Sequence, residues 1–549
     1  MAPTPTIADL LAAAEPAEPR PLAELTERLA ATGALRGARD GGKAIGPAAL
    51  GALMIRGVTD DSRAITPGAL FVAVPGLHAD GHMFVDAAER SGAAAALVER
   101  PLPDVALPQL VVDRSAAALA DAASWWSGDP SHELGVVGIT GTDGKTTTAF
   151  LAAAALEAAG VSSGLIGTVA TQIGRVRESN VEHMTTPGAP LLQRTLRAMA
   201  NAGNAAAVVE TTSHGLAADR VRGIAYDVAI LTNLTHEHLE FHGSWEAYRD
   251  AKLSLFERLA TGAANPVKDL DGRVWPKAAI VNADDPSAGA FVGVAQEAGA
   301  RILTYGTTPD ADVRATHVEE DANRLRIVFA APSGDATVDL RLAGRFNVHN
   351  ALAVVALGEV LELDPAAVRA GLAGLRGVPG RMERIEAGQP FGVVIDYAHS
   401  PASLENVLGL LAPLAAARGG AIVVVFGSAG ERDTEKRPMM GRIAAEAARI
   451  VVVTDEDPRD EDRNAILEDI ARGAESGGKH RERDLFLIPD RPQAIAAAFE
   501  RARPGDIVLL AGKGHETSII GADGPVAYDE RSAALSALAE LGYRADPDA

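Results

Sequence analysis

The sequence predicts an α/β protein of three modules, on three observations. Short, continuously apolar runs rich in Val, Ile and Ala alternate with helix-length stretches from Val58 onward. Such runs lack the polar-out alternation of a half-exposed strand and mark parallel strands covered on both faces. Several end in Gly-rich or polar loops, and in open parallel sheets ligands gather beyond the carboxyl ends of strands. One run, LGVVGIT (134–140), passes directly into GTDGKTTT and an Ala-rich helical stretch, the order of a phosphate-binding strand–loop–helix unit.

Taken in order, residues 1–50 are rich in Ala, Pro and Gly, and IADLLAAA and PLAELTERLAA read as two short helices joined by loose linkers, an N-terminal extension. LFVAVPG (70–76), AAAALVER (93–100) and QLVVDRS (109–115) read as buried strands of a small α/β module over 51–132. The second module, 133–378, opens with LGVVGIT and continues through GLIGTVA, AAAVVETT, VAILTNL and KAAIVNADD, with helical stretches between. The third, 379–549, holds FGVVIDYAHSP, AIVVVFGSAGERD, RIVVVTDEDPR and DIVLLAGKGHE, each an apolar run closed by a polar loop.

Composition narrows the function. A formal charge of -22 repels polyanions over most of the surface, so no nucleic-acid partner is expected, although a few cations in a cleft can still hold an anionic small substrate. The absence of cysteine excludes disulfides, a thiolate nucleophile and a thiolate zinc site, and suits a reducing compartment. The N-terminus has neither the basic nor the apolar segment of a signal peptide, and no run is long enough to span a membrane. A cytoplasmic monomer is the expectation.

Two motifs carry chemistry. In GITGTDGKTTT (138–148), Gly141 and Gly144 let backbone N–H groups face phosphate oxygens, Lys145 is a point charge and Thr146 can reach magnesium. The strict P-loop pattern fails, because Ile139 stands where a glycine belongs. In TNLTHEHLEFHG (232–243), His238 and His242 have the four-residue spacing of two metal ligands on a helix. Leu239, not Glu, follows His238, so the stretch is not that of a zinc hydrolase. Helical spacing also puts Tyr248, Lys252 and Leu255 on one face, a half-buried setting in which a lysine is costly unless it is used.

GTDGKTTT, ETTSHGL, TNLTHEHLEFHG, DAK, FNVHNAL, GRMERI and DYAHSP, in that order, resemble the Mur ligase family of ATP-dependent amino-acid-adding enzymes. TDDSRAITPGALFVAVPG and AGKGHE resemble the branch that adds the third, diamino residue of the peptidoglycan stem. The resemblance implies a small N-terminal α/β domain, a central P-loop ATPase domain with a parallel sheet, and a C-terminal Rossmann-like domain. It also implies a reaction in which ATP phosphorylates the carboxylate of UDP-N-acetylmuramoyl-L-alanyl-D-glutamate and the amine of a free diamino acid attacks the acyl phosphate.

Carried over residue by residue, the resemblance implies that Gly141, Thr142, Asp143, Gly144, Lys145, Thr146 and Thr147 hold the phosphates of ATP, with Asn347 and Asn350 on the adenine side and Arg381, Asp396 and His399 supplied by the third module. From the residues alone, Asn350 reads equally well as the cap of the following helix. Lys145, Glu210, His238 and Lys252 are the implied catalytic group. Thr146, Glu210 and His238 are implied at one Mg2+ ion and a carbamate on Lys252 at a second, while His236 and His242 are expected to be solvated or capping groups. Asp60, Ser62, Leu77 and His78 are implied on the uridine side, and Thr185, Thr186, Thr212 and Arg220 at the muramoyl peptide. Arg437, Glu456, Asp457, Arg459, Gly512 and Glu516 are implied at the incoming amino acid.

The sequence departs from the family at Glu237 for Asp, Met184 for Asn, Thr211-Thr212 for Val-Ser, and Glu456-Asp457-Pro458-Arg459 for Asp-Asn-Pro-Arg. Arg459 favours the distal carboxylate of meso-diaminopimelate, whereas the added charge of Asp457 suits the ammonium of L-lysine or L-ornithine; meso-diaminopimelate is placed ahead. A folylpolyglutamate synthetase is the alternative that shares the loop and fold, but it should lack TDDSR, LFVAVPG and AGKGHE.

Overall fold

Each apolar run singled out above forms a strand, and the strands are almost wholly buried. The computed structural model describes residues 5–76, 79–180, 184–235, 237, 239–260, 268–270, 272–320 and 324–544. The chain divides into two compact units, one of Met1–Val318, Ile327–Val338 and Phe346–Gly374, the other of Glu319–Arg326, Asp339–Arg345 and Leu375–Ala549.

Beside two short two-stranded pairings among its described residues, two large sheets build the first unit. In one, Val58–Thr59, Leu70–Val72, Ala95–Val98 and Gln109–Val112 run parallel, and Leu35–Asp40 continues the sheet antiparallel with its hairpin partner Lys43–Ile45. The described part of the extension expected over residues 1–50, from residue 5 on, is therefore packed into these sheets. Leu22, Leu25 and Leu29 of helix Leu22–Ala31 are fully buried in the same core as Leu70, Leu97 and Trp125. Each such side chain contributes about 2 kcal/mol by leaving water. Helix Ile7–Ala13 begins in a capping box between Thr6 and Asp9, and its Ile7 joins the core of the second sheet.

That second sheet carries, side by side and parallel, Ser163–Ile166, Ala206–Glu210, Gly135–Thr140, Val228–Leu231, Ala278–Asn282 and Arg301–Gly306. Helix Lys145–Ala158 follows the central strand and is buried on most of its surface, which its small side chains permit. Gly371 serves the same closeness: a Cβ there would stand 2.5 Å from the carbonyl oxygen of Ala154.

At the amino end of this sheet a fully buried Asp227 accepts hydrogen bonds from Val136 N (2.7 Å), Lys277 Nζ (2.8 Å) and Lys268 Nζ. Burial, against the pull of Asp227, lowers the Lys268 ammonium from 10.5 to about 8. Between those values the unfolded chain binds more protons than the folded one, so this lysine makes stability rise with pH across that window. Urea titrations from pH 7.5 to 10 should therefore give wild type a gain of about 2 kcal/mol relative to Lys268→Met.

In the second unit Gly392–Asp396, Ile507–Ala511, Ile422–Phe426, Ile450–Val453 and Leu485–Leu487 form a parallel sheet in that order, with Glu383–Arg384 antiparallel at one edge. The last of these strands in the chain, Ile507–Ala511, inserts between the first two, and because all five run parallel the loops after Phe426, Val453 and Ala511 open at one end of the sheet. Among the described residues no helix is long and apolar enough to cross a membrane.

Candidate active site

In the first unit the site is built at the carboxyl ends of three adjacent strands. Gly135–Thr140 leads into the loop in which Gly141 (φ 147°) and Gly144 (φ 82°) adopt conformations that favour glycine. Space demands glycine too. A Cβ on Gly141 would stand 1.9 Å from Thr232 Oγ1, and one on Gly144 2.4 Å from Asn350 Oδ1. The loop is fixed from its neighbour strand: Thr232 Oγ1 donates to Asp143 O (2.6 Å), and Asp143 N donates to Asn233 Oδ1 (2.9 Å). Lys145 Nζ donates to the Gly141 and Thr142 carbonyls at 2.9 and 2.7 Å. Thr147 is buried behind it on the first helical turn.

Glu210, the last residue of strand Ala206–Glu210, is fully buried and points across this loop. Its carboxylate accepts Thr146 Oγ1 (2.9 Å), Thr168 N (2.9 Å) and Thr168 Oγ1 (3.0 Å). Burial raises its pKa above the ordinary value; those donors and the Lys145 charge oppose the shift. Lys252, inside helix Trp245–Glu257, is also buried. It donates to Gly141 O (2.8 Å) and lies 4.6 Å from the centre of the Tyr248 ring, whose hydroxyl is 2.8 Å from Thr142 Oγ1. Burial first, and the Lys145 charge next, hold the amine well below the usual lysine range. Tyr248, Lys252 and Leu255 are all buried, as their helical spacing predicts.

Asn347 and Asn350 lie within helix Phe346–Val360, so Asn350 is not its cap. Asn350 Nδ2 donates to Asn347 Oδ1 (2.9 Å), and its Oδ1 accepts Thr148 Oγ1 (3.2 Å), which ties this helix to the first turn of helix Lys145–Ala158, just after the phosphate loop. Thr186 Oγ1 donates to Glu210 O (2.8 Å) and lies 3.0 Å from Thr212 Oγ1; Arg220 donates to Thr186 O (3.0 Å). Thr185 Oγ1 is 2.9 Å from Thr168 Oγ1, so the expected muramoyl-peptide threonines adjoin Glu210. Asp60 and Arg220 attract one another electrostatically. Ser62 sits in a turn in which Asp61 N donates to Thr59 Oγ1 (3.0 Å) and Asp61 binds Arg63. His242 packs edge-on against Tyr248 and His214, at 5.3 and 5.5 Å between ring centres. His236, His238, Leu77 and His78 lie outside the described residues.

The second unit gathers its own polar cluster at the carboxyl end of its sheet. Asp396 accepts Met382 N (2.8 Å) and Ala398 N (2.9 Å), the guanidinium of Arg381 lies 4.8 Å over the Tyr397 ring, and His399 Nδ1 is 2.9 Å from Tyr397 O. Arg491 and Glu530 form a fully buried bidentate pair at 2.8 and 2.6 Å. Arg491 also donates to Asp455 O (3.0 Å) and Ala511 O (2.8 Å), pinning the loops that carry Glu456 and Gly512. Glu530→Ala leaves a buried guanidinium uncompensated, so a loss of about 3–5 kcal/mol is expected, read as a lower urea midpoint. Arg437, expected at the amino acid, is instead committed within the protein. Its fully buried guanidinium bonds Glu461 at 2.7 and 2.8 Å and Asp469 at 3.1 Å.

Three family models match successive parts of the chain: Mur ligase family, catalytic domain (54–125), Mur ligase middle domain (139–358), and Mur ligase, glutamate ligase domain (380–514). A UDP-N-acetylmuramyl-tripeptide synthetase of Roseiflexus sp. (strain RS-1) is 50% identical over 89% of this chain and 95% of its own length. The chain belongs to the Mur ligase family. It is an ATP-dependent acid–amino-acid ligase. The Mur ligase is also 40% identical to a UDP-N-acetylmuramoyl-L-alanyl-D-glutamate--2,6-diaminopimelate ligase of Geobacillus thermodenitrificans (strain NG80-2), over 87% and 94% of the two chains. A solved structure of a ligase of that same name superposes with TM-score 0.59 at 29% identity, covering 89% of this chain and 96% of that one. A folylpolyglutamate synthase of Mycobacterium tuberculosis, at 19% identity and TM-score 0.57, shares the fold over 72% of this chain and 91% of its own, and the alternative it represents is not favoured.

Sequence reasoning missed several residues of this Mur ligase. Thr168 holds Glu210 with both its N–H and its hydroxyl, and its place just after strand Ser163–Ile166 was the available signal. Asp284, just after strand Ala278–Asn282, is 2.7 Å from His349 Nε2 on the Asn350 helix. Lys513, between the singled-out Gly512 and Glu516, is fully buried between two carboxylates.

Proposed function

We propose that this Mur ligase joins a free diamino acid to the D-glutamyl carboxylate of UDP-N-acetylmuramoyl-L-alanyl-D-glutamate, in the cytoplasm and as a monomer. Meso-diaminopimelate is the expected amino acid, with L-lysine and L-ornithine next. The observation that carries this reading is the cluster of Lys145, Thr146, Glu210 and Lys252 around the loop Gly141–Gly144.

The reaction brings a phosphoryl group onto a carboxylate against their mutual repulsion, so fixed positive charge is its main requirement. The donors at the loop fit magnesium. Thr146 Oγ1 and the Glu210 carboxylate are hard oxygen ligands, and this ion ordinarily takes one or two carboxylates with phosphate oxygens and waters. Among the described residues no group of three His, Asp or Glu forms a fuller cage. His238 is the further proposed ligand, and Lys252, as its carbamate, the ligand of a second ion. Bound magnesium supplies charge that neutralises the transferring phosphoryl group.

The chain's own groups do the rest. Loop N–H groups and Lys145 hold the phosphates of ATP in line with the acceptor carboxylate, whose oxygen takes the terminal phosphoryl group as ADP departs. Thr185, Thr186, Thr212 and Arg220 orient the peptide carrying that carboxylate, and Asp60 and Ser62 the uridine. Asn347, Asn350, Arg381, Asp396 and His399 are proposed at the nucleotide. The diamino acid, held by Glu456, Arg459, Gly512 and Glu516, then attacks the acyl carbon; its amine loses a proton and phosphate leaves.

The test is phosphate release from ATP in the presence of UDP-N-acetylmuramoyl-L-alanyl-D-glutamate and, separately, each of the three amino acids. Release that needs both the nucleotide-sugar peptide and a diamino acid supports the reading. Release with a folate and glutamate, but not with the muramoyl peptide, overturns it.

A further inference from the structure

The loop Asp455–Arg459 presents charges whose partners do not match what the sequence suggests. Asp457 Oδ1 accepts Lys513 Nζ (2.8 Å) and Ile520 N (2.9 Å). The Lys513 side chain has no exposed surface, and its ammonium also pairs with Glu516. Arg459 N donates to Ile520 O (2.9 Å), and Arg459 adopts φ 55°, so the loop is docked on strand Ser518–Gly521 at both ends of the Asp457–Arg459 turn. Two charged groups nearby are left over. The buried Glu456 Oε2 makes no hydrogen bond, and the Arg459 guanidinium has a buried Nε without a partner and no carboxylate within ion-pair distance among the described residues. Gly512 (φ 102°) keeps the space beside Glu456 open: a Cβ there would lie 3.2 Å from Glu456 Oε2.

We propose that Lys513, not a substrate ammonium, is the counter-charge of Asp457, and that this buried pair selects the third residue by leaving Arg459 available to a distal carboxylate. The inference rests on the ligase reading above and deepens it. Without Lys513 the carboxylate of Asp457, two residues from Arg459, would repel a second acid group and favour a plain ammonium. With Lys513 in place, Asp457, Lys513 and Glu516 together carry one net negative charge. Glu456 then offers an acceptor for an ammonium and Arg459 a donor for a carboxylate. A side chain ending in both groups, as in a diaminodicarboxylic acid, satisfies the pair; one ending in an amine alone leaves Arg459 unmatched.

The experiment compares kcat and KM for meso-diaminopimelate and L-lysine in wild type, Asp457→Asn, Lys513→Met and the double variant, by phosphate release. Asp457→Asn should raise the preference for meso-diaminopimelate, read in kcat/KM, by about tenfold, mainly through KM. Lys513→Met should lower that preference by a similar factor, and the double variant should return it toward wild type. Asp457→Asn keeps the shape of the loop, so it decides the matter alone if Lys513→Met does not fold. Equal losses on both amino acids in Asp457→Asn overturn the proposal, as does a double variant with the preference of Lys513→Met. Wild type that uses L-lysine but not meso-diaminopimelate sinks this inference and leaves the ligase reading standing; wild type inactive with every diamino acid sinks the ligase reading itself.

Discussion

Lys252→Ala should lose at least about a thousandfold in ligation while ATP still binds, a cost of roughly 4 kcal/mol in the transition state. The side chain is buried beneath the phosphate loop, 2.8 Å from Gly141 O and against the Tyr248 ring, and so it touches the loop from behind. A lysine serving only to brace that loop could be replaced with modest loss, because Thr232 and Asn233 already fix Asp143. A lysine that adds carbon dioxide cannot, since the resulting carboxylate is the group that does the work. Burial favours the neutral amine that such addition requires. Lys252→Arg separates the two roles further: a guanidinium stays charged at any working pH and cannot form the carbamate, so it should be as inactive as alanine, with or without added bicarbonate. Calorimetry with ADP checks that the site is intact, and 13C-bicarbonate NMR should give a carbamate signal in wild type alone. Wild-type-like turnover in Lys252→Ala ends the carbamate role.

Much of this was legible because parallel strands buried on both faces leave an unmistakable trace: VVETT, VAILTNL and LGVVGIT are apolar to the residue at which a polar loop begins. Motif order singled out the loop, Glu210 and Lys252, which the fold places side by side. What escaped were relations between distant residues. PLAELTERLAA carries Leu22, Leu25 and Leu29 at helical spacing, but the Trp125 and Leu97 that cover them lie some seventy to a hundred residues on, and Ala, Pro and Gly around them read as linker. A charged side chain is equally mute about its partner. Arg437 looks the same in sequence whether it meets a substrate carboxylate or Glu461, and the added charge of Asp457 looks unbalanced until Lys513, in a different loop, is seen beside it.

Glu210→Gln should abolish turnover, by about a thousandfold or more, yet leave the ligand-free protein at least as stable as wild type. The two outcomes follow from one geometry. The carboxylate is fully buried, and its three donors are neutral: the Thr168 N–H and the hydroxyls of Thr146 and Thr168. An amide of the same shape keeps them all, since its oxygen can accept the N–H while its NH2 group donates to the two hydroxyls once they rotate. Replacing the charge by a dipole removes the cost of keeping an anion out of water, a cost that the neutral donors and the Lys145 charge offset only in part. On the proposed magnesium role of Glu210, turnover suffers because an amide is a far weaker ligand for that ion than a carboxylate, and the transferring phosphoryl group would lose its neutralising charge. Glu210→Ala supplies the contrast: it discards the bonds as well as the charge, leaves three donors and a cavity behind, and should lower stability by about 2–4 kcal/mol. Urea midpoints for the three proteins, with phosphate release measured alongside, test the assignment. If Glu210→Gln turns over like wild type, or if it is destabilised as far as Glu210→Ala, then the carboxylate is a structural acceptor and the metal must be held elsewhere.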